Sequence, residues 1–454
     1  ALLNFLFALK KNGTFVLRIE DTDPERNFDP GGKRIMKDLA WLGIQYQEGP
    51  NEGGNFGPYA QSQRNSIYEA QLELLKERSL TYRCFCSTQD LEKKRQRAIA
   101  LKLPPRYDRS CLNISQAEAQ KRIAEGNLFI WRFKVPQSGS VSITDLGHGI
   151  TNFDLKNFSD FPLTRADGSF TFLFTNAIDD MLMEITHVLR GADHLSNTAN
   201  QALLFKAFDR PQPLFWHLPI LCNVEGKKLS KRDFGFALEN LQEGGYLPEA
   251  IINYLAIIGA SFKEEIMDLS ALVEAMNFDS IKAVGNIRYD VDKLRWVNHK
   301  WIEKYAPELL AQRTLPFLEK AYPQITSIDP KTFEQLLQMI KSEMNTLEDA
   351  IPALNFYFQE PAITPEMVTE HIPQESHALI KKIFSTAAQT IANGQDALLA
   401  LQAESKKADL PTKLIFMLAR LALTGSIKGP GVGDIIKMLG TERSKKRLEK
   451  FLTV

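Results

Sequence analysis

Short apolar runs alternate with stretches of helical spacing over roughly the first half of the chain. The predicted elements are a strand at 15–20, helices at 32–42 and 64–77, a strand at 185–189, a helix at 198–208 and a strand at 215–222. The first strand ends in the carboxylates Glu20 and Asp21. Strand, helix and strand in this order predict a parallel α/β sheet.

Two other stretches differ from this alternating pattern. Residues 80–165 contain a cysteine pair, a basic helix and strand-like runs, which predict an insertion within the α/β domain. From Tyr246 onward the pattern is almost wholly helical, with Asp329 as a helix N-cap and Asn393 and Gly394 at a helix end. The chain therefore consists of an interrupted α/β region followed by an α-helical region.

Composition is that of an ordinary globular protein. The chain has 454 residues, of which 44% are hydrophobic and 24% charged, enough for several domains. Four cysteines are too few for a disulfide scaffold, so they belong to the core or to a small metal site in a reducing compartment. No apolar stretch approaches the roughly 18 residues that cross a bilayer. We therefore expect a soluble, cytoplasmic protein.

Net charge is zero, with 55 basic and 55 acidic residues, but the charges are segregated. Residues 405–454 hold 11 Lys or Arg against four Asp or Glu, so their net charge is +7 and the rest of the chain carries −7. Residues 91–109 form a second basic island. Solvated helix faces would explain either island alone. Two separated islands on an otherwise acidic chain favour contact with a nucleic-acid backbone.

Two groups of residues carry candidate chemistry. Glu20 and Arg190 lie at the ends of two predicted strands, where ligands of open α/β sheets bind. Arg offers a planar donor fork to a carboxylate and Glu accepts from an ammonium group, so the pair suits an amino-acid substrate; surface ion pairs are the alternative. The loop 225–232 holds four cations that could neutralise a triphosphate, whereas no P-loop motif is present.

Several motifs together resemble bacterial glutamyl-tRNA synthetases, in that family's order and spacing, from Ala1 to the end of the chain. They are RIEDTDPER at 18–26, Tyr107-Asp108, Asp179-Asp180 with ITHVLRG at 185–191, KLSKR at 228–232, YLPEA at 246–250 and LTGS at 423–426. A lysine-rich loop alone would be a weak signal. The complete set is highly specific.

The resemblance implies an α/β fold with a Rossmann-type class I synthetase catalytic domain, an α+β insertion, and an all-α anticodon-binding domain at the end. The implied boundaries are 1–80 for the first part of the catalytic domain, 81–165 for the acceptor-stem-binding insertion, 166–225 for the second catalytic part, 226–301 for a flexible Lys-Ser-Lys loop and stem-contact domain, and 302–454 for the anticodon-binding domain.

The implied reaction joins L-glutamate to ATP as glutamyl-adenylate, with Mg²⁺ sharing the pyrophosphate charge, and transfers glutamate to the 3′ end of tRNA(Glu). A monomer without membrane contact is expected. The residues carried over by motif are Lys228, Ser230, Lys231 and Arg232 for catalysis, with Lys231 contacting ATP; Glu20 for the glutamate ammonium group; Arg190 for its side-chain carboxylate; Phe172 and Asn176 for the pocket; and Arg420 and Glu343 for tRNA.

Some positions depart from the family's common pattern. Phe172 replaces a tyrosine, which removes a hydrogen bond of about 0.5 to 1.5 kcal/mol, and Ala192 replaces an acid. Glu343 stands where an arginine is expected, which motivates the alternative of an enzyme that also charges tRNA(Gln) with glutamate. The family's His-x-Gly-x ATP motif is expected upstream of Ala1, as for an N-terminally truncated sequence; a non-catalytic tRNA-binding paralogue is the other alternative.

The cysteines resemble a zinc motif that some members of this family carry in the insertion. Its residues here are Cys84, Cys86, Tyr107 and Cys111. Three thiolates and a phenolate or water can complete a tetrahedral Zn²⁺ site. Asn113 stands where other members have a histidine, and some members bind no metal, so both a zinc site and a metal-free cluster stay open.

Overall fold

The computed structural model describes residues 1–22, 29–223, 225–229, 237–258, 262–278, 285–372 and 376–451. The α-helices, in chain order, are α1 Leu2–Lys10, α2 Lys33–Trp41, α3 Asn65–Glu77, α4 Thr88–Ala100, α5 Gln116–Ala124, α6 Phe172–Leu182, α7 Leu195–Ala207, α8 Leu238–Glu243, α9 Pro248–Ile257, α10 Leu269–Ala275, α11 Val291–Lys304, α12 Pro307–Ala321, α13 Pro330–Ile340, α14 Ala350–Phe358, α15 Pro365–Thr369, α16 His377–Ala392, α17 Ala397–Lys407, α18 Thr412–Thr424 and α19 Val432–Phe451.

The strands form one four-stranded sheet and two small pairs. They are β1 Thr81–Cys84, β2 Ile130–Phe133, β3 Ser140–Asp145, β4 Gly149–Asp154, β5 His187–Gly191, β6 Leu214–Leu218, β7 Leu221–Cys222 and β8 Ile287–Arg288. The larger sheet has the order β4-β3-β6-β5, in which β6 is parallel to both β3 and β5, while β4 is antiparallel to β3. β1 pairs with β2 and β7 with β8.

The chain divides into two units. The first comprises 1–230 and 252–290, and the second comprises 231–251 and 291–454. All the described strands lie in the first unit, and the described elements of the second are helical. The predicted order of an α/β region followed by a helical region is therefore confirmed. None of the described helices is long and apolar enough to cross a membrane.

The predicted strand at 15–20 is wrong as a continuous strand. Val16 and Ile19 instead make isolated parallel bridges, to Glu48 and Ala60 respectively. A ladder needs consecutive partners on one neighbouring strand. Because two different loop segments supply one partner residue each, the apolar run remains extended without becoming a strand. The predicted strand at 215–222 is also divided, into β6 and β7.

The remaining α/β predictions match the observed elements closely. The helices at 32–42, 64–77 and 198–208 are α2, α3 and α7, and the strand at 185–189 is β5 with a shift of two residues. The four-stranded sheet also includes β3 and β4, which come from the stretch 81–165 that resembles an insertion. β3 therefore connects this stretch to the sheet that carries Arg190.

Two apolar clusters lie among the described residues of the first unit. One joins α3, α6 and α7 to the four-stranded sheet, and α7 is buried along most of its length. The other surrounds α1 and Trp216 of β6. The buried side chains of α6 and α7 include polar groups, among them Asn176, Asp179 and Gln201. Buried polar groups require hydrogen-bond partners, and those partners form the site described below.

The second unit follows its sequence signals. Asp329 caps α13 by accepting from the Thr332 backbone N–H, and the apolar face of that helix is buried as its spacing predicts. Asn393 is the C-cap of α16, and Gly394 has a φ of +70°, the left-handed value that glycine favours. α19 is broken at Gly440.

Candidate active site

Arg190 lies near the end of β5 and binds two side chains of α7. Its Nη2 atom donates to the Thr198 hydroxyl over 2.6 Å and to the Gln201 side-chain oxygen over 2.5 Å. A short 3₁₀ turn connects β5 to α7, so residues three apart on the first turns of α7 face back to the strand end. Burial lowers the pKa of Arg190, although the carboxylates of Asp180 and Glu20 oppose this effect.

Glu20, Asn176 and Arg190 are joined through one further residue. The Asn176 amide donates to the Glu20 carboxylate over 2.6 Å, and the Gln201 amide donates to the Asn176 oxygen over 3.1 Å. Gln201 then accepts from Arg190. The structure thus brings these three predicted residues together in one hydrogen-bonded chain. No sequence motif singles out Gln201, because its role depends on the packing of α7 against α6.

Glu20 retains access to solvent, whereas the charges behind it are buried. Arg18 pairs with Asp180 over 2.8 Å and lies 3.5 Å from Glu20. Burial opposes the charged form of Arg18, but the carboxylates of Asp180, Asp179 and Glu20 outweigh burial and raise its pKa. The site therefore holds permanent positive charge beside an exposed carboxylate.

Asp179, which precedes Asp180 in the sequence, is fully buried. It accepts from Gln61 over 2.9 Å, from Arg64 over 2.7 Å and from the Tyr68 hydroxyl over 2.8 Å. Burial and the neighbouring Asp179 raise the pKa of Tyr68, so its hydroxyl stays protonated and donates. These bonds connect α6 to α3 and to the segment that precedes α3. They hold the buried floor of the site in place.

Phe172 and Lys228 lie at the border of this arrangement. Phe172 is the first residue of α6, and its ring lies 5.8 Å from that of His194. Lys228 pairs with Asp193 over 2.7 Å, with both side chains largely exposed, and this bond lowers the pKa of Asp193. Ser230, Lys231 and Arg232 lie outside the described residues.

The three cysteines of the predicted zinc motif converge. The Sγ atoms of Cys84, Cys86 and Cys111 lie within 4.8 Å of one another. The Tyr107 hydroxyl lies 3.2 Å from the Cys84 sulfur and accepts from the Cys111 backbone N–H over 3.2 Å. Three soft thiol ligands and a nearby oxygen are a donor set that fits Zn²⁺. Cys222, at the end of β7, is buried in the core, one of the two places expected for the cysteines.

The two residues predicted to contact tRNA lie in the second unit. Arg420 is half-buried, and its guanidinium donates to the Pro430 carbonyl over 2.8 Å and to the Ile427 carbonyl over 2.9 Å. It therefore holds the loop between α18 and α19. Glu343 ends the 3₁₀ turn that follows α13, and its side chain is exposed.

Curated relatives match over nearly the entire chain. The glutamate–tRNA ligase 2 of Caldicellulosiruptor saccharolyticus is 34% identical over 456 residues, which cover 99% of this chain and 94% of that protein. The glutamate–tRNA ligase of Bacillus subtilis is 33% identical over 466 residues, covering 99% of this chain and 95% of that protein.

A solved structure has the same fold. The crystal structure of a glutamate tRNA ligase from Elizabethkingia meningosepticum, in complex with its amino acid, superposes with a TM-score of 0.85 at 27% identity, covering 100% of this chain and 95% of that one. A family model described as the catalytic domain of class I tRNA synthetases (E and Q) matches residues 1–296, and one described as an anticodon binding domain matches 309–452. The chain therefore belongs to the class I tRNA synthetases of the glutamate and glutamine group.

Proposed function

We propose that this protein is a glutamate–tRNA ligase that activates L-glutamate with ATP and transfers it to the 3′ end of tRNA(Glu). The observation that carries this proposal is the chain from Glu20 through Asn176 and Gln201 to Arg190. It presents a carboxylate and a guanidinium at one strand end, as a substrate with both an ammonium and a carboxylate group requires. The names of the curated relatives support the same reaction.

Each site residue has a distinct role in the proposal. Glu20 accepts from the glutamate ammonium group, and Arg190 donates to the side-chain carboxylate while Asn176 and Gln201 hold both in place. Phe172 contributes an apolar wall. The α-carboxylate of glutamate attacks the α-phosphorus of ATP and pyrophosphate leaves, so the protein contributes positioning and charge stabilisation, with Mg²⁺ neutralising the phosphates.

The cationic loop supplies the charge stabilisation. Lys228 is paired with an exposed aspartate, an interaction weak enough for a phosphate to replace. Lys231 contacts ATP, with Ser230 and Arg232 beside it. We expect Lys231→Ala to reduce glutamate activation by about 100-fold or more, the scale of lost transition-state charge stabilisation, while tRNA binding changes little. An equal loss in both would identify the loop as an RNA contact.

The insertion and the C-terminal region serve tRNA in this proposal. Residues 81–165 bind the acceptor stem, 226–301 contact the stem, and 302–454 bind the anticodon, with Arg420 and Glu343 near the RNA. Arg420 acts by holding its loop in shape, because its guanidinium already binds two carbonyls of that loop. The protein acts as a cytoplasmic monomer.

Zn²⁺ in the insertion is part of the proposal. Cys84, Cys86 and Cys111 would bind it, with Tyr107 or water as the fourth ligand, and its role would be structural. We expect about one zinc per chain by elemental analysis, lost in Cys84→Ser and retained in the matched control Cys222→Ser, whose thiol lies in the core. A zinc-free protein with stable, reduced thiols would contradict this part alone.

Aminoacylation by the protein expressed from its complete coding sequence tests the main proposal. Separate tRNA(Glu) and tRNA(Gln) transcripts are supplied with labelled glutamate and ATP. We expect charging of tRNA(Glu) that is lost in Glu20→Gln and retained in Glu52→Gln, a control at an exposed acid. Charging of both transcripts would support the relaxed alternative, and charging of neither would contradict the proposal.

A further inference from the structure

A second chain of polar groups ends at Arg190. Asp145 is the last residue of β3, and its carboxylate lies 2.5 Å from Nδ1 of His217 in β6. The other ring nitrogen of His217, Nε2, lies 2.8 Å from the Thr198 hydroxyl, which accepts from Arg190. The side chains of Asp145 and His217 are 0% exposed, and Thr198 is also fully buried.

Hydrogen bonding fixes the proton between Asp145 and His217. The Asp145 carboxylate also accepts the backbone N–H groups of Gly147 and His148, over 2.9 and 2.8 Å. A carboxylate surrounded by donors is ionised, and it holds the His217 proton on Nδ1. The Thr198 hydroxyl lies 2.8 Å from Nε2 of His217 and 3.1 Å from the His194 carbonyl oxygen, either of which can accept its single hydrogen. The Thr198 oxygen accepts from the Arg190 guanidinium.

Phe215, a member of the apolar core of the first unit, packs against this chain. The His217 ring stacks on Phe215 with centroids 6.1 Å apart, and the Arg190 guanidinium lies 5.5 Å from the same Phe215 ring. A polar chain in such a core contributes less stability than apolar packing of the same volume. It runs from the strand β3, through β6 and α7, to the guanidinium that the proposed substrate would contact. A role in orienting the Arg190 guanidinium accounts for both the polar composition of this chain of residues and its end at Arg190.

We propose that Asp145, His217 and Thr198 are positioning residues that set the orientation of Arg190 and so determine the affinity for the substrate's side-chain carboxylate. This inference rests on the proposed function. None of the three touches the substrate. Their effect therefore falls on glutamate binding, and ATP and tRNA binding are unaffected.

Two substitutions of Thr198 separate this role from packing. Thr198→Val keeps the shape and removes the hydroxyl, whereas Thr198→Ser keeps the hydroxyl and removes a methyl group. We expect Thr198→Val to raise the KM for glutamate by roughly tenfold or more, the scale of a hydrogen bond to a charged group, with the KM values for ATP and tRNA unchanged. Thr198→Ser should restore the glutamate KM to within about twofold of wild type.

Thr314→Val is the matched control, because Thr314 is also fully buried and donates to a helix carbonyl over 2.7 Å in the other unit. It should leave the glutamate KM unchanged. Equal glutamate KM values for Thr198→Val and wild type, or equal increases in the Val and Ser variants, would overturn the inference. Because wild-type charging is measured in the same assay, failure of the proposed function itself would be seen separately.

His217→Asn tests the next link. Its amide can still donate toward Asp145 but does not reach Thr198. We expect the glutamate defect of Thr198→Val, and no further increase in the double variant, because the two changes break the same connection. Additive defects would overturn the role of His217. If His217→Asn does not fold, as judged by its thermal unfolding, Asp145→Asn replaces it in the same comparison with Thr198→Val.

Discussion

Arginines of the two units differ in whether they bind side-chain acceptors. In the first unit, Arg18, Arg64 and Arg190 each contact a carboxylate, hydroxyl or amide side chain, and Arg64 donates to the Phe56 and Pro58 carbonyls as well. In the second unit, Arg420 and Arg447 donate to backbone carbonyls. The same residue type therefore serves two purposes, the first in a polar site and the second in joining helices.

Arg447 shows the second use most clearly. It donates to the carbonyls of Leu423 over 2.6 Å, Phe356 over 2.7 Å and Gln359 over 3.0 Å. These carbonyls belong to the last turns of α18 and α14 or directly follow them, where helix carbonyls have no intrahelical partner and the dipole is negative. Arg447 thus satisfies the ends of two helices from α19, although burial lowers its pKa.

The difference concerns what remains when one partner is removed. Loss of a carboxylate from the first unit leaves a buried cation without its counter-charge, which is costly in a region of low dielectric constant. Loss of Arg447 leaves only neutral carbonyls, which pay a smaller desolvation cost. The first arrangement fixes charges for chemistry, and the second stabilises packing with less dependence on any single charge.

The largest effect is expected for Asp179→Asn. The asparagine side chain carries no charge opposite Arg64, and its own N–H groups lie beside three donors. The free energy of unfolding should therefore fall by about 3 to 5 kcal/mol. Urea denaturation, monitored by hydrogen exchange at the amides of α3 and α6, measures this loss. The double variant Arg64→Met with Asp179→Asn should recover part of it, because no isolated charge remains. A loss below about 1 kcal/mol would remove the contrast between the two units.

A smaller effect is expected for Arg447→Met, which keeps an apolar stem of similar length. Stability of the helical unit should fall by about 1 to 3 kcal/mol, because carbonyls lose partners but no charge is left behind. Hydrogen exchange at the ends of α14 and α18 should increase, while α3 and α6 retain their protection. Exchange that increased equally in both regions would show that the effect is not local to these helix ends.

The smallest effect is expected at the exposed surface of the second unit. Glu360 pairs with Lys446 over 2.6 Å and with Lys450 over 3.3 Å, and these bonds lower its pKa. A lowered pKa in the folded state adds stability above the unfolded value of about 4.3, and this contribution disappears as the pH falls through the folded pKa.

Glu360→Gln should therefore lower the thermal unfolding temperature slightly at pH 7 and approach wild type as the pH falls through the folded pKa of Glu360, below which the carboxylate is protonated in both states. Differential scanning calorimetry across this range measures the effect, and 0.5 M salt at pH 7 should reduce it because the pair is exposed. A difference that grew toward low pH would have the wrong sign for an ion pair.

Some of the site was predictable from sequence because it is encoded in contiguous motifs. Glu20, Arg190 and Asn176 were carried over by motif, and the structure brings them together. Gln201 and Thr198 were missed, because on α7 they resemble ordinary polar residues of a helix. Their importance follows from contacts with residues such as Asn176, 25 positions away, and no local pattern records such contacts.

Errors in the predicted fold have the same origin. The run at 15–20 has the composition of a strand, but its partners at Glu48 and Ala60 come from separate loops. Helices were predicted well, because their hydrogen bonds are local and their caps, such as Asp329, lie beside the elements that they end. Strand pairing depends on distant segments that the pattern of one segment does not specify.

The sequence by itself determined the order of the elements, the helical second unit, the cysteine motif and the family resemblance, since each depends on local spacing or contiguous motifs. The tertiary structure alone decided which polar groups are buried and joined. The chain from Asp145 through His217 and Thr198 to Arg190 combines β3, β6, α7 and β5. Hydrogen-bond geometry and burial arise only when such distant segments pack together, and the proposed affinity for the substrate depends on both.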